Sequence, residues 1–290
     1  MPQLNPISVV AFSYKLKNLK IFDKIQENVI EFKLKHYRNP QTQQLLDKLS
    51  KALIPLNDTQ IEWLNNRSIT NHSNVYGLDL SDLSKQDLLD SFIIPLDHVT
   101  EHYGVRPIKG IAFPDIRNGE LHGLCIRNLS KDLPFVAAAK YTFSNFGQYL
   151  YGYDEIAKDD EIAICEGVFD VKALNSINQK AIGIGAAHPT TWQLACIQHK
   201  TKNIKIYMDN DFQGWCGAYA IAKCFNKDHV FIPDNKDPAE EILEFKTNSF
   251  NKTSLEKLEK MIISEIPIYN EKIKGYEIKS LHEHRNLRYN

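Results

Sequence analysis

No CxxC pair occurs among the five cysteines, Cys125, Cys165, Cys196, Cys216 and Cys224, so no zinc ribbon or finger can be built from them. The odd, widely spaced set fits a reducing cytoplasm better than a secreted, disulfide-stapled domain. The first ten residues lack both a basic stretch and an apolar stretch, so no signal peptide is expected. No apolar run approaches the ~18 residues of a membrane helix, and no membrane association is expected. An excess of either charge is also missing. Lys+Arg total 35 against Asp+Glu 36, a net charge of −1, which excludes a uniformly basic nucleic-acid binder but not a local basic groove. There is no G-x-x-x-x-G-K-[ST] segment, so the chain is not a P-loop motor. Repeats and low-complexity tracts are lacking too.

What is present is globular composition over 290 residues, 43% hydrophobic and 24% charged, enough for one large or two smaller domains. The first 50 residues hold eight basic and four acidic side chains, with Ile21, Ile25, Val29 and Phe32 at helical spacing. They read as a mildly basic helical arm. Pro55-Leu56-Asn57-Asp58 reads as a junction, with Asp58 capping a helix that carries Ile61, Trp63 and Leu64. A short helix is expected near 85–91. From about 103 to 153 the texture is strand and turn. Asn118-Gly119 between two apolar pieces is a hairpin signal.

From about 160 the pattern becomes α/β. Strands are expected at 161–165, 181–185, 204–208 and 230–232, each followed by a helix, at 168–177, 190–199, 213–225 and 238–245. A further helix at 254–264 precedes a weakly basic tail. Such alternation implies a parallel sheet covered by helices. Gly183-Ile184-Gly185 is only part of a dinucleotide fingerprint and reads as a strand-to-helix turn.

Ligands of open parallel sheets collect at the carboxyl ends of the strands. The residues that follow three of these strands are acidic: Glu166 and Asp170, then Asp209 and Asp211, then Asp234 and Asp237. Each pair of like charges a few ångströms apart repels by ~1 kcal/mol in water and ~4 kcal/mol at an effective dielectric near 20. A cluster of them calls for a cation, and oxygen donors without His or Cys favour Mg²⁺ or Mn²⁺. Asp after a strand also caps helices. His188 and the aromatic series from Tyr141 to Tyr153 have structural uses as well as functional ones.

The run Glu161-Ile-Ala-Ile-Cys-Glu166-Gly167-Val168-Phe169-Asp170, with Met208-Asp209-Asn210-Asp211 and Gly214, resembles the Toprim domain of primases, topoisomerases and some nucleases. Pro233-Asp234-Asn235-Lys236-Asp237-Pro238 is similar to the third acidic segment of the primase branch. Upstream, residues 113–123 followed by Arg127 resemble the primase FPIRD segment, Lys140-Tyr141 its KYLNS lysine, and Leu150-Tyr151-Gly152 its LYG. Residues 56–69 are similar to the helical entry of the primase core, so the similarity spans roughly 56–245.

The resemblance implies a Toprim-type parallel-sheet domain at 156–245, preceded by a mixed α+β basic subdomain at 56–155 and the arm at 1–55, and followed by a helix and tail at 246–290. It implies Glu166, Asp209 and Asp211 as the principal metal-binding acids, and Asp170, Asp234 and Asp237 as further ones. Arg117, Arg127 and Lys140 would line a groove for template and triphosphate. The implied activity is that of a DNA primase, a nucleotidyltransferase that makes short RNA primers. Its template would be single-stranded DNA, its substrates ribonucleoside triphosphates, its metal Mg²⁺ or Mn²⁺, and its partner a separate helicase. The small architecture points toward a phage. Residues 1–55 carry no cysteine, so the zinc-binding module of bacterial replicative primases is not expected in them, and the helicase-binding domain is expected to be absent or reduced to 246–290. A Toprim nuclease and a non-catalytic replisome scaffold are the rival readings.

Overall fold

The computed structural model describes residues 40–67, 69–79, 82–84, 110–117, 119–129, 141–143, 149–245 and 250–267. The expected helix at 85–91 and most of the basic arm lie outside these residues. The chain builds two five-stranded sheets.

The first sheet is antiparallel, in the order β1 (Leu53–Ile54), β2 (Tyr76–Leu78), β3 (Gly110–Arg117), β4 (Glu120–Asn128), β5 (Tyr141–Phe143). Two helices precede or interrupt it, α1 (Pro40–Lys51) and α2 (Asp58–Asn65). The β3–β4 hairpin turns where the sequence indicates, with Gly119 at φ +78°, a left-handed value that glycine adopts without cost. Pro114 sits inside β3, but β2 pairs only with Ile111 and Ala112, so its missing N–H interrupts nothing on that side. The α2 cap is Asn57 rather than Asp58. Asn57 Oδ1 accepts from the Gln60 N–H at 2.9 Å, and Gln60 Oε1 accepts from the Asn57 N–H at 3.0 Å. Buried Gln60 then donates through Nε2 to the Gly110 carbonyl at 2.8 Å, clamping α2 onto the start of β3.

The second sheet has the order β10–β9–β8–β6–β7. Strands β6 (Ile162–Cys165), β7 (Ala181–Gly183), β8 (Ile204–Tyr207) and β9 (His229–Ile232) are parallel. They are joined by α3 (Val168–Ser176), α4 (Thr191–Lys200) and α5 (Phe212–Cys224). Helix α6 (Pro238–Phe245) then leads to an antiparallel edge strand, β10 (Asn251–Ser254), and a last helix, α7, at 255–267. Expected strands and helices of this half agree with the observed ones to within two residues, except at the C-terminal end of α7. The polar Asn-Lys-Thr-Ser strand β10 is not expected from the sequence. Its only buried side chain is Thr253, so it carries no apolar alternation.

The fully buried strand cores follow from parallel pairing with helices on both faces. Ile162, Ala163, Ile164 and Cys165 of β6 all have essentially no exposed surface. Phe113, Cys125, Tyr149 and Tyr151 pack with Val168, Val171 and Leu174 of α3, so one apolar cluster joins the two sheets. The segment 149–153 stitches them further. Tyr149 Oη donates to the Phe113 carbonyl at 3.2 Å, and Tyr151 exchanges backbone hydrogen bonds with Gly183. Buried Gln193 of α4 donates to the carbonyls of Tyr149 (2.6 Å) and Ile184 (2.8 Å).

Candidate functional site

Chain order and sheet order part company at β6. From it the chain runs to β7 on one side, then returns to β8 on the other. The crevice between β6 and β8 is therefore the switch point at which such sheets bind ligands. Cys165 of β6 pairs with Tyr207 of β8. Glu166 thus leaves β6 beside the point where Asp209, two residues past Tyr207, leaves β8.

The charges of Asp170, Asp209 and Glu166 all bear on the Cys165 thiol. Burial first, and these three carboxylates behind it, push its pKa well above the ordinary value. Three acids expected from two βα units therefore bear on one buried sulfur. That thiol stays protonated at neutral pH and offers no thiolate to a metal.

These ends open into a cavity of about 220 Å³. Its acidic lining is Glu166, Asp170 and Asp209, with Asp237 and Glu240 from the start of α6. Its cationic lining is Arg67, Arg127 and Lys236. Phe169 and Leu243 are among the apolar side chains between them. Opposite charges thus line a single crevice, one set supplied mainly by each sheet.

The local sequence explains how the acids are held. Asp170 is buried, and its two oxygens accept from the Gly167 N–H (2.8 Å) and the Ala239 N–H (3.2 Å). It ties the start of α3 to the start of α6. Asp237 accepts from the Glu240 N–H at 2.8 Å, and Asp211 caps α5 by accepting from the Gly214 N–H at 2.8 Å. Asn210 donates its backbone N–H to the Lys236 carbonyl at 2.7 Å, joining the second and third acidic loops. Buried Glu241 accepts from the Asp234 and Asn235 N–H groups at 3.0 Å and braces the third loop from below.

Gly214 has a steric role in this arrangement. A Cβ there would come 2.1 Å from the Asp209 carbonyl oxygen. Gly214→Ala is expected to cost about 1–3 kcal/mol through overpacking, and to displace Asp209. A thermal melt and a Mn²⁺ titration would both register it, and an unchanged melt would refute the close approach.

Of the residues expected from the sequence, Glu166, Asp170, Asp209, Asp237 and Arg127 line the cavity. Asp211 and Asp234 do not: the first caps α5, and the second is hydrogen-bonded to the Asn251 side chain of β10. Lys140 lies outside the described residues. Arg117 is placed elsewhere, in a correction to the groove assignment. It is 4% exposed and forms a bidentate pair with Asp115, Nε to Oδ1 at 3.0 Å and Nη2 to Oδ2 at 2.6 Å. Asp115 and Arg117 stand two apart on β3 and so share one face of the strand, and there Arg117 lies over the Trp192 and Tyr153 rings. Arg67 and Lys236 were not anticipated. Arg67 follows the C-terminus of α2, where the helix dipole favours a cation, and that position is the available sequence signal. Lys236 lies within the third acidic segment, where neighbouring carboxylates draw attention from it.

Among the described residues no three His, Cys, Asp or Glu side chains converge closely enough to cage one ion. Mg²⁺ does not require such a cage. It keeps several waters and binds through one or two carboxylates together with substrate phosphates. The oxygen-only donors Glu166 and Asp209 fit that chemistry.

No family model and no curated protein sequence matches the chain. Solved structures do. The DnaG primase catalytic domain bound to single-stranded DNA superimposes with a TM-score of 0.55 at 19% identity, over 77% of this chain and 84% of that one. The fold is that of a DnaG primase catalytic core. The E. coli primase catalytic core matches this primase-core fold with a TM-score of 0.52 at 18% identity, over 77% of this chain and 83% of that one. A primase domain from Pseudomonas aeruginosa gives 0.52 at 18%, over 69% and 75%. The expected fold class, a parallel-sheet α/β unit preceded by a mixed α+β unit, agrees with these likenesses. Among the described residues no helix is long and apolar enough to cross a membrane.

Proposed function

We propose that this chain is the catalytic core of a DNA primase, a nucleotidyltransferase of the Toprim type that joins ribonucleotides on a single-stranded DNA template. The observation that carries the reading is the single crevice lined by Glu166 and Asp209 together with Arg67, Arg127 and Lys236. Likeness in fold to a primase domain that holds single-stranded DNA supports it.

The reaction forms a bond between a 3′-hydroxyl oxygen and the α-phosphorus of a ribonucleoside triphosphate, and pyrophosphate leaves. Both partners are anionic, so positioning and charge neutralisation dominate the barrier. Arg67 and Arg127 would hold phosphate oxygens, each guanidinium able to bind in bidentate fashion, and Lys236 would act as a point charge. Glu166 and Asp209 would hold Mg²⁺ or Mn²⁺. A bound ion of this kind neutralises leaving-group charge and makes the attacking hydroxyl more acidic. Asp170, Asp211 and Asp237 keep the three acidic loops in place through the helix starts that they tie. A separate helicase would supply the single strand.

The deciding experiment offers single-stranded DNA and labelled ribonucleoside triphosphates with Mg²⁺ or Mn²⁺. Short RNA products that vanish with chelator are expected. Nicking of DNA with no nucleotide-dependent product would instead establish a nuclease, and metal binding without either activity a scaffold.

A further inference from the structure

Two arginines on one wall of the cavity repel each other, and an uncharged group lies against both. The Arg67 guanidinium sits 4.3 Å from the centroid of the Trp63 ring, and the Arg127 guanidinium 5.9 Å from the same ring. Burial first, and the charge of Arg67 next, lower the pKa of Arg127. The negative face of an indole attracts both cations and offsets part of that repulsion.

Trp63 is itself held from two directions. On its own helix, Gln60 lies one turn earlier and is clamped to the Gly110 carbonyl. Gly110 precedes Ile111, the residue that pairs with Arg127 across the β3–β4 ladder. On another side, Trp63 meets the Phe169 ring at 5.7 Å, and Phe169 meets Phe113 edge-on at 5.1 Å. Phe169 precedes Asp170 in α3 and lines the cavity, whereas Trp63 does not line it. The indole therefore stands behind the arginines, in contact with the helix that begins at the acidic edge.

We infer that Trp63 is a positioning residue whose ring gathers the Arg67 and Arg127 guanidiniums into one phosphate-binding unit at a set distance from Glu166 and Asp209. Arg67 is an exposed, rotamer-rich side chain, and the ring limits the conformations it must give up on meeting a phosphate. The inference deepens the polynucleotide reading above and rests on it. It concerns how the cationic wall is organised, not whether the acids work.

The test uses the full chain with Trp63→Met, which keeps bulk without a π face, Trp63→Phe, which keeps a ring, Arg67→Ala, and the Trp63→Met/Arg67→Ala double variant. Trp63→Leu is the second ring-less variant should Trp63→Met not fold. Binding of a fluorescein-labelled oligothymidylate is followed by anisotropy across a salt series, alongside ribonucleotide KM and kcat. Trp63→Met is expected to weaken oligonucleotide binding about fivefold to tenfold and to raise KM more than it lowers kcat. Its salt slope should flatten by roughly one phosphate contact. Trp63→Phe should recover most of the loss. In the Arg67→Ala background the tryptophan substitution should add little, because it acts through the arginine already removed. A packing role alone would lower the melting temperature and leave the salt slope unchanged, and that result overturns the inference, as do fully additive losses. If wild-type protein neither binds the oligonucleotide nor extends primers, the primase reading itself falls, and the role assigned to Trp63 falls with it.

Discussion

Glu166→Gln and Asp209→Asn should each reduce primer synthesis by about 100-fold or more while leaving the fold intact. Each change removes one negative charge and keeps the shape of the side chain. Both acids are half-buried at strand ends, outside the apolar clusters, so neither substitution opens a cavity. They leave adjacent parallel strands at a register fixed by the Cys165–Tyr207 pair, which is why two residues 43 positions apart in the chain can serve one ion. Charge stabilisation of a phosphoryl transition state is worth several kcal/mol, and roughly 3 kcal/mol corresponds to a factor of about 100 in rate. The paired measurement is a Mn²⁺ titration by calorimetry, in which both variants should lose affinity. Full activity in both variants would remove the metal assignment. Lost activity with unchanged Mn²⁺ binding would move these acids to some other role.

The second large effect concerns stability rather than chemistry. Arg117→Ala is expected to destabilise the protein by about 3–5 kcal/mol, because it strands the Asp115 carboxylate in the interior. Asp115 is 1% exposed, and burial already raises its pKa despite the Arg117 guanidinium beside it. Its remaining partner is the Leu150 N–H at 3.1 Å, at the segment that stitches the sheets together. Arg117 also lies over the rings of Trp192 (5.0 Å) and Tyr153 (5.6 Å), so the pair ties β3 to α4 and to the connecting segment. An Asp115→Asn/Arg117→Met double variant should recover much of the loss. It buries no net charge, and the Asn oxygen can still accept from Leu150. Urea unfolding midpoints of the three proteins decide the matter. A normal midpoint for Arg117→Ala, combined with a raised ribonucleotide KM, would return Arg117 to the substrate groove.

These two residues mark how far the sequence could be read. The α/β half was legible because its parallel strands are mostly apolar and alternate with helices that start at capping residues. Thr190 and Asp211 both cap as their position before an apolar run suggests, each accepting from the N–H three residues on. The converging carboxylates were legible for the same reason, since each stands just past a recognisable strand. By contrast, Arg117 looks like any hairpin arginine. What buries it is the packing of Trp192 and Tyr153 over its face of β3, contacts with residues far along the chain that leave no mark in the local pattern. Arg67 looks like a solvated residue after a helix. It reaches the crevice because the Gln60–Gly110 hydrogen bond lays α2 across the start of β3, a contact between residues 50 positions apart. Strand β10 pairs through its backbone and buries a single side chain, so no periodicity announces it.

Local patterning, then, determined which segments are strands and helices and which acids stand at strand ends, because period, caps and turn residues act over a few neighbours. Tertiary structure decided which charges face the crevice. Arg117 is buried under Trp192 and Tyr153, and Arg67 is brought to the cavity that Glu166 lines, both through contacts between segments far apart in the chain. The physical reason is that a side chain's surroundings depend on register, helix placement and burial, and these arise only when the two sheets close on a common core.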